Sequence, residues 1–300
     1  MRYRIQFQNG SALLLVLWAL LLLSAAIFAW TVSIQGSAVR YGNDNRVFEA
    51  LTMARSGIAI SLHPGVSYQT AIPNEELASG LGFKVRITSE GGRLNLNWLL
   101  RGEDPMKLTI LKQWLERKGL DFNQRETFVD CLLDYVDGDN VKRLNGAEDD
   151  GDHHPANREL QSVDELVRVK GTEPLTSLPG WQEELTVHSQ GPIDLNGAST
   201  EILSLLPGIG ESRIRQFVEY RQGRDGLDGT PDDGTFANLA AVQEFLGLTA
   251  AQFKVLNGLI TYKDPTLRII SEGHSGNLTR QIVVVTRKSG GKPQTLAWKE

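Results

Sequence analysis

The longest apolar stretch of the chain lies near its N-terminus, at residues 11–32, and carries no formal charge. A helix of about 20 apolar residues spans the roughly 30 Å hydrocarbon core of a bilayer, so this stretch predicts a transmembrane helix. Arg2 and Arg4 precede it, and no comparable basic cluster follows it. The positive-inside rule therefore predicts a cytoplasmic N-terminus, with the bulk of the chain on the other side of the membrane.

A second apolar pattern follows the predicted span and has the period of a helix. Apolar residues recur at spacings of three and four residues, which marks one helix face. They are Val47, Leu51, Ala54, Ile58 and Leu62. His63-Pro64-Gly65 ends the pattern, so we predict one helix of about 50 residues, roughly 75 Å long at 1.5 Å per residue. Gly36 and Gly42 interrupt its middle and are candidate positions for a kink.

Alternation of apolar and polar residues predicts β-strands at both ends of the remaining chain. The pattern occurs at residues 83–88 and returns at residues 267–270, 281–286 and 294–298. Between them, residues 107–264 show mainly helical spacing. Strands that flank a long helical segment predict an α+β fold, in which a helical domain is inserted into a small α/β domain.

Composition and charge narrow the classes of function. The net charge is −5, so the chain as a whole offers no basic surface for nucleic acid. Cys131 is the single cysteine, which excludes an internal disulfide, and its apolar neighbours predict a buried position. No nucleophile, zinc-protease or phosphate-loop motif is present, and we therefore predict no enzymatic activity.

The densest acidic cluster predicts a cation site. It comprises residues 134–139 and 145–152. Carboxylates at this spacing repel one another unless a hard cation lies between them, and Ca²⁺ accepts six to eight oxygen ligands in flexible geometry. A merely solvated loop is the alternative. His153 and His154 adjoin the cluster and leave a softer metal as a weaker one.

A second acidic loop offers either another cation site or an exposed turn. Its carboxylates are Asp225, Asp228, Asp232 and Asp233, among several glycines and one proline. The sequence favours neither interpretation, because turn residues are as frequent in the loop as acidic ones.

Residues 193–199, 206–210 and 213–221 match the helix-hairpin-helix pattern and resemble the DNA-binding module of competence receptors. In DNA-binding versions the exposed amides of the hairpin contact phosphate, and arginines add charge-assisted contacts. The candidate arginines are Arg213, Arg215 and Arg221. Glu211, Glu219 and the second acidic loop surround them. The charge pattern therefore argues against nucleic acid as a partner and favours a structural or protein-contact role.

The sequence around Gly10 resembles the leader of type IV prepilins and type II secretion pseudopilins. A basic leader ends in Gly10 and is followed by Ser11, Ala12 and three leucines. In that family prepilin peptidase cuts after the glycine, so the resemblance implies cleavage between Gly10 and Ser11 and methylation of Ser11. Leu15 departs from the family, whose members mostly carry Glu at this position. An ordinary uncleaved membrane anchor is the alternative.

Three features together resemble the GspK family of minor pseudopilins in type II secretion. They are the apolar opening at residues 12–18, the run Asn-Gly-Ala-Glu-Asp-Asp at residues 145–150, and the helical insertion between strands. The resemblance implies five regions: a leader at residues 1–10, a transmembrane helix at 11–32, the first part of a pilin-like domain at 33–99, an inserted α-helical domain with the helix-hairpin-helix-like motif at 100–265, and pilin-like strands at 266–300.

The same resemblance implies a metal and partners. Bound Ca²⁺ would have its ligands among Asp137, Asp139, Glu148, Asp149 and Asp150. The protein would be a minor pseudopilin that is anchored in the inner membrane and lies largely in the periplasm. It would cap the pseudopilus tip with other minor pseudopilins and contact the inner-membrane secretion platform. It would also help to initiate assembly of the pseudopilus for export of folded proteins across the outer membrane. A minor pilin of a type IV pilus and a membrane-anchored DNA receptor remain alternatives.

Overall fold

The N-terminal part of the chain forms one long helix. The computed structural model describes residues 9–66, 72, 75–226, 228, 232–288 and 292–300, without the side chains of residues 9–11, 36–40 and 43. Helix α1 (Asn9–Ser61) has 53 residues, about 80 Å at 1.5 Å per residue, and continues through both candidate kink positions. Gly10 and Ser11 lie in its first turn, while residues 1–8 of the predicted leader lie outside the described residues.

Helix α1 has an exposed half and a packed half. Its segment Ala12–Gln35 is fully exposed and is apolar and long enough to cross a membrane. The second half packs on a sheet, where Ala54 and Ile58 are buried. The helix ends at Ser61, two residues before His63, where the predicted stop begins.

Lys288 holds the C-terminal end of α1. Its ammonium donates hydrogen bonds to the carbonyl oxygens of Ser61 at 3.0 Å, His63 at 3.1 Å and Val66 at 2.6 Å. Carbonyl groups at a helix C-terminus lack partners within the helix and carry the negative end of its dipole. A single side chain from the end of a distant strand thus satisfies the helix end and its following turn.

A five-stranded antiparallel sheet carries α1 on one face. Its strands are β1 (Glu75–Ala78), β2 (Leu81–Ser89), β7 (Thr266–Ser275), β8 (Leu278–Arg287) and β9 (Gln294–Lys299), in the spatial order β1-β2-β7-β8-β9. The mixed helix-and-sheet fold class is confirmed, and each of the four predicted strands lies within an observed one. Strand β1 was not predicted, because its sequence Glu-Glu-Leu-Ala has no apolar alternation and all four residues are exposed.

Two glycines let α1 approach the sheet closely. A Cβ atom on Gly273 of β7 would lie 2.0 Å from the carbonyl oxygen of Ala50 and 2.3 Å from the amide nitrogen of Ala54. On the facing side, a Cβ atom on Gly57 would lie 2.3 Å from the Ser271 hydroxyl. Only a residue without a Cβ atom permits this backbone approach. The small core between helix and sheet consists of Ala54, Ile58, Ile87, Leu267, Ile269, Ile282 and Val284.

The inserted segment leaves the sheet after β2 and returns at β7. Ser89 of β2 pairs with Leu267 of β7, so the point where the segment leaves the sheet is adjacent to the point where it returns. Asp194, which is 3% exposed, joins them: it accepts a hydrogen bond from the Ser89 hydroxyl at 2.6 Å and one from the Asp264 amide at 3.1 Å. Burial raises the pKa of Asp194, and these hydrogen bonds act in the opposite direction.

The inserted segment is built from short helices around one large core. The helices are α2 (Leu96–Leu100), α3 (Pro105–Arg117), α4 (Phe122–Val136), α5 (Glu173–Thr176), α6 (Thr200–Leu203), α7 (Glu211–Arg221), α8 (Leu239–Phe245) and α9 (Ala250–Leu256). Two-residue parallel ladders join β3 (Leu94–Asn95) to β4 (Leu185–Thr186) and β5 (Ile193–Asp194) to β6 (Ile260–Thr261). Leu94, Leu96 and Leu99 already belong to this core, although residues 33–99 were predicted as the first part of the pilin-like domain.

Candidate functional site

Helix α4 positions the acidic cluster. It begins with a capping box, in which the Asp121 carboxylate accepts from the Gln124 amide and the Gln124 side chain accepts from the Asp121 amide. It ends at Val136, so that Asp137 is its C-terminal cap residue. The predicted acidic loop therefore starts from a rigid helix end, which fixes the direction of the Asp137 side chain.

Arg143 organises the base of the cluster. Its guanidinium contacts the buried carboxylate of Asp134 and the carboxylate of Asp137, both at 2.6 Å, and reaches Glu103 at 2.8 Å. Asp134 is completely buried, and such a carboxylate requires a paired cation. Asp134 was included in the predicted acidic cluster but not among its ligands, and Arg143 was not predicted as part of the site. The signal available was a carboxylate on the apolar face of α4, between Leu133 and Tyr135.

Asp137, Asp139 and Glu148 converge into a group with metal-ligand geometry. One carboxylate oxygen from each lies within 4.8 Å of the others. Both oxygens of Glu148 and the Oδ1 atom of Asp137 are shielded from solvent and have no hydrogen-bond partner among the described residues. Such orphaned acceptors are costly unless a cation or water satisfies them.

The electrostatic surroundings of Glu148 also favour a bound cation. Burial, followed by the negative charges of Asp134, Asp137 and Asp139, raises the pKa of Glu148. A divalent cation would offset both effects, because it supplies positive charge at the oxygens that lack donors. The donor set is all oxygen, as hard cations such as Ca²⁺ prefer, and backbone carbonyls or waters would complete six to eight ligands.

Asp149 and Asp150 turn away from this group. Asp149 accepts from the Gly151 amide at 3.0 Å and contacts the His154 ring at 3.2 Å, and these contacts lower its pKa. Asp150 pairs with Lys170 and accepts from the His153 amide, which lowers its pKa to about 2. The structure thus brings together three of the five predicted ligands and engages the other two elsewhere.

The second acidic loop is held by internal contacts. Asp228 pairs with Arg221 at 2.9 Å, and Asp232 accepts from the amide of Arg224 at 2.7 Å. Within the part of the chain that the structure describes, which excludes residues 227 and 229–231 of this loop, its carboxylates form no group with metal-ligand geometry. The other two carboxylates of the loop, those of Asp225 and Asp233, also have interaction partners.

The helix-hairpin-helix-like region uses its arginines for internal packing. Arg221 is 3% exposed and donates to the carbonyl oxygens of Leu195 and Ala198. Arg213 donates to the carbonyl oxygens of Leu246 and Gly247. Two of the three arginines considered for phosphate contact are therefore engaged within the protein.

The chain is similar to known proteins of type II secretion. A family model described as "Type II secretion system (T2SS), protein K" matches residues 92–177, which contain the three converging carboxylates. Type II secretion system protein K of Pseudomonas aeruginosa is 26% identical over 256 residues, which cover 78% of this chain and 70% of that protein. The protein of the same description from Dickeya chrysanthemi is 35% identical over 215 residues, which cover 62% of this chain and 55% of that protein.

The chain is thus similar to type II secretion system protein K over much of its length. These matches support a GspK-type minor pseudopilin, and the apolar N-terminal helix fits a single-pass inner-membrane protein. The crystal structure of the GspK-GspI-GspJ complex from the type 2 secretion system of enterotoxigenic Escherichia coli matches with a TM-score of 0.61 at 14% identity, covering 88% of this chain and 98% of that one. At this identity the match establishes the fold.

Proposed function

We propose that this GspK-type protein caps the tip of the pseudopilus together with other minor pseudopilins. The observation that carries the proposal is the insertion between β2 and β7, which places a large helical domain on a sheet carried by a long helix. A subunit with this bulk beside its spine helix leaves no room for another subunit stacked above it. The solved GspK-GspI-GspJ complex supports minor pseudopilins as its partners.

In this proposal the capping complex initiates the assembly that exports folded proteins across the outer membrane. The N-terminus lies in the cytoplasm, the inserted domain lies in the periplasm, and the exposed segment Ala12–Gln35 anchors the chain beside the inner-membrane secretion platform. Prepilin peptidase cleaves after Gly10 and methylates Ser11. Leucine at position 15 fits a terminal subunit, because a buried carboxylate there would have no amine above it to pair with.

Processing and assembly are tested separately. The intact mass of the protein from cells with and without prepilin peptidase should differ by residues 1–10 and by one methyl group. The processed protein, extracted in mild detergent, should copurify with two other minor pseudopilins in equal amounts. An unprocessed mass in both strains would refute the processing step, and a processed protein without associated minor pseudopilins would refute the tip complex.

We further propose that Asp137, Asp139 and Glu148 bind Ca²⁺. Their convergence and the orphaned oxygens of Glu148 support this proposal. The ion would neutralise the repelling carboxylates and join the end of α4 to the loop that contains Glu148. Its role would be structural, because it would hold the acidic loop against the inserted domain.

Calcium should raise the melting temperature of the full-length protein in detergent, relative to chelator. Glu148→Gln should abolish most of that rise, because it removes the ligand whose two oxygens lack other partners. Asp149→Asn is the matched control, since Asp149 lies in the same loop but faces His154. Equal calcium responses of both variants and the unmodified protein would refute the assignment.

A further inference from the structure

A second polar site lies on the face of the sheet opposite α1. Ile269, Val284 and Trp298 are paired across β7, β8 and β9, and Ile269 and Val284 belong to the core beneath α1. The neighbouring row of Arg268, Val285 and Ala297 therefore points to the other face. There it borders a groove of about 290 Å³ between the sheet and the inserted domain, near the lower limit for ligand pockets.

We call this cavity the β9 groove. It is lined by Glu90, Arg93, residues 162–164, Gln182, Leu185, Thr186, His188, Arg268, Val283, Val285 and residues 297–299. The sheet supplies an apolar wall, and the inserted domain supplies a polar one. None of these residues belongs to the acidic cluster at the end of α4.

The floor of the β9 groove holds a buried carboxylate with one unsatisfied oxygen. The Glu90 side chain is 2% exposed, and its Oε1 atom accepts a hydrogen bond from the Thr186 hydroxyl at 2.6 Å. Its Oε2 atom lies 3.8 Å from Arg93 Nε and 3.9 Å from Arg268 Nη1, which are distances of ion pairs and not of hydrogen bonds. Oε2 has no hydrogen-bond partner among the described residues.

The two guanidinium groups beside Glu90 are also incompletely satisfied. The side chains of Arg93 and Arg268 are 18% and 24% exposed, and the Nε atom of Arg268 is buried without a partner among the described residues. Burial, more than any neighbouring charge, lowers the pKa of Arg93. The guanidinium groups of Arg93 and Arg268 and the Oε2 atom of Glu90 therefore lie close together at the groove. Guanidinium groups bind planar carboxylates best, because their paired N–H donors match the two carboxylate oxygens.

The charge of the β9 groove favours an acidic ligand. Arg93, Arg268 and Lys299 supply three cations against the carboxylates of Glu90 and Asp164. At the mouth, Lys299 and Asp164 lie 3.8 Å apart with side chains 70% and 58% exposed, so their attraction is weak and either can rotate away. The remaining wall of valine and alanine suits an aliphatic side chain.

We propose that the β9 groove binds an acidic, partly aliphatic peptide segment of a partner protein, with one side-chain carboxylate seated between Arg93 and Arg268. The aliphatic neighbours of that carboxylate contact Val283, Val285 and Ala297. The segment approaches from the side of the sheet that α1 leaves open. It thereby touches both the sheet and the inserted domain and fixes their relative position.

The test uses two tripeptides that differ in one charge. Acetyl-Val-Glu-Val-amide and acetyl-Val-Gln-Val-amide are titrated onto the full-length protein in detergent micelles, and the dissociation constant is measured by saturation-transfer NMR. The glutamate peptide should bind at least tenfold more tightly, because a charge-assisted contact is stronger than a neutral one. Equal affinities, or no binding of either peptide, would overturn the proposal.

Two variants locate the binding site. Arg268→Gln should weaken binding of the glutamate peptide at least tenfold and leave the glutamine peptide unchanged. Arg280→Gln is the matched control, because Arg280 is an exposed arginine on β8 outside the groove. Ala297→Leu keeps every charge and fills the groove, so it should weaken both peptides even if Arg268→Gln proves unstable. Unchanged binding in Ala297→Leu would place the peptide elsewhere and refute the assignment.

Discussion

Gly273→Ala provides a direct test of how α1 is joined to the sheet. The added methyl group would lie 2.0 Å from the Ala50 carbonyl oxygen, 2.3 Å from the Ala54 amide nitrogen and 3.0 Å from the Met53 carbonyl carbon. Ordinary contacts between non-bonded heavy atoms are about 3.5–4.0 Å long. All three atoms belong to the backbone of α1. No side chain can rotate to make room, so the helix itself must move away from the sheet.

That movement has a cost that follows from the core beneath the helix. Ala54 and Ile58 are 0% and 1% exposed, and displacing them by about 1 Å forfeits part of their packing. Overpacking of this kind costs about 1–3 kcal/mol, and we expect the upper end because backbone is the obstacle. For a domain of this size, about 3 kcal/mol corresponds to a melting temperature lower by about 6–12 °C.

The assay is thermal unfolding of the full-length protein in detergent, followed by far-ultraviolet circular dichroism. Gly42→Ala is the matched control, because a Cβ atom on Gly42 meets nothing within 4 Å and alanine favours the helix. Gly57→Ala should have an intermediate effect, since its nearest obstacles are side-chain atoms of Ser271 and Val85. A melting temperature of Gly273→Ala within 1 °C of the unmodified protein would refute the close-packing account.

Three further predictions concern single side chains. Lys288→Met should lower the free energy of unfolding, measured in denaturant, by about 2–3 kcal/mol, because three carbonyl oxygens at the end of α1 lose a charged donor. Lys292→Met, on the exposed surface, is the control and should have little effect. In chelator, the stability contributed by Glu148 is present below its ordinary pKa of 4.5 and is lost as the pH rises through its raised pKa. Glu148→Gln should therefore melt higher than the unmodified protein at pH 7 but not at pH 4, and a lower melting temperature at pH 7 would contradict the sign. Burial raises the pKa of Cys131 from 9.0 to about 11, so its reaction with a disulfide reagent at pH 8 should be about a hundredfold slower than in denaturant, and equal rates would contradict its burial.

The local elements follow from the sequence because their causes are local. The uncharged stretch near the N-terminus, the helix period after it and the stop at Pro64 predicted α1 and its end. Alternation predicted parts of β2, β7, β8 and β9. Strands β2, β7 and β8 bury some of their residues, and two residues of β9 are half-buried. Strands β3 to β6 escaped prediction because two-residue ladders leave no periodic pattern.

Only the tertiary structure shows which of the neighbouring acidic side chains converge into the candidate metal site. The sequence marks Glu148, Asp149 and Asp150 as equivalent candidates, but Asp149 and Asp150 are engaged by His154 and Lys170. Asp137 joins Glu148 because α4 ends at Val136 and Arg143 fixes one of its oxygens. These partners are set by the direction of each side chain, which spacing along the chain does not specify.

The residues of the β9 groove were even less predictable from the sequence. Glu90 and Arg93 follow β2, whereas Arg268 lies on β7, beyond the entire inserted segment. Nothing in the sequence near any of these residues indicates the others, because their proximity arises from the antiparallel pairing of β2 with β7. The sequence by itself determined the long N-terminal helix, the helical character of the inserted segment, the main strands and the membrane-length apolar segment through periodicity and composition. The close approach of α1, the ligand group and the groove required long-range pairing, which only the folded chain provides.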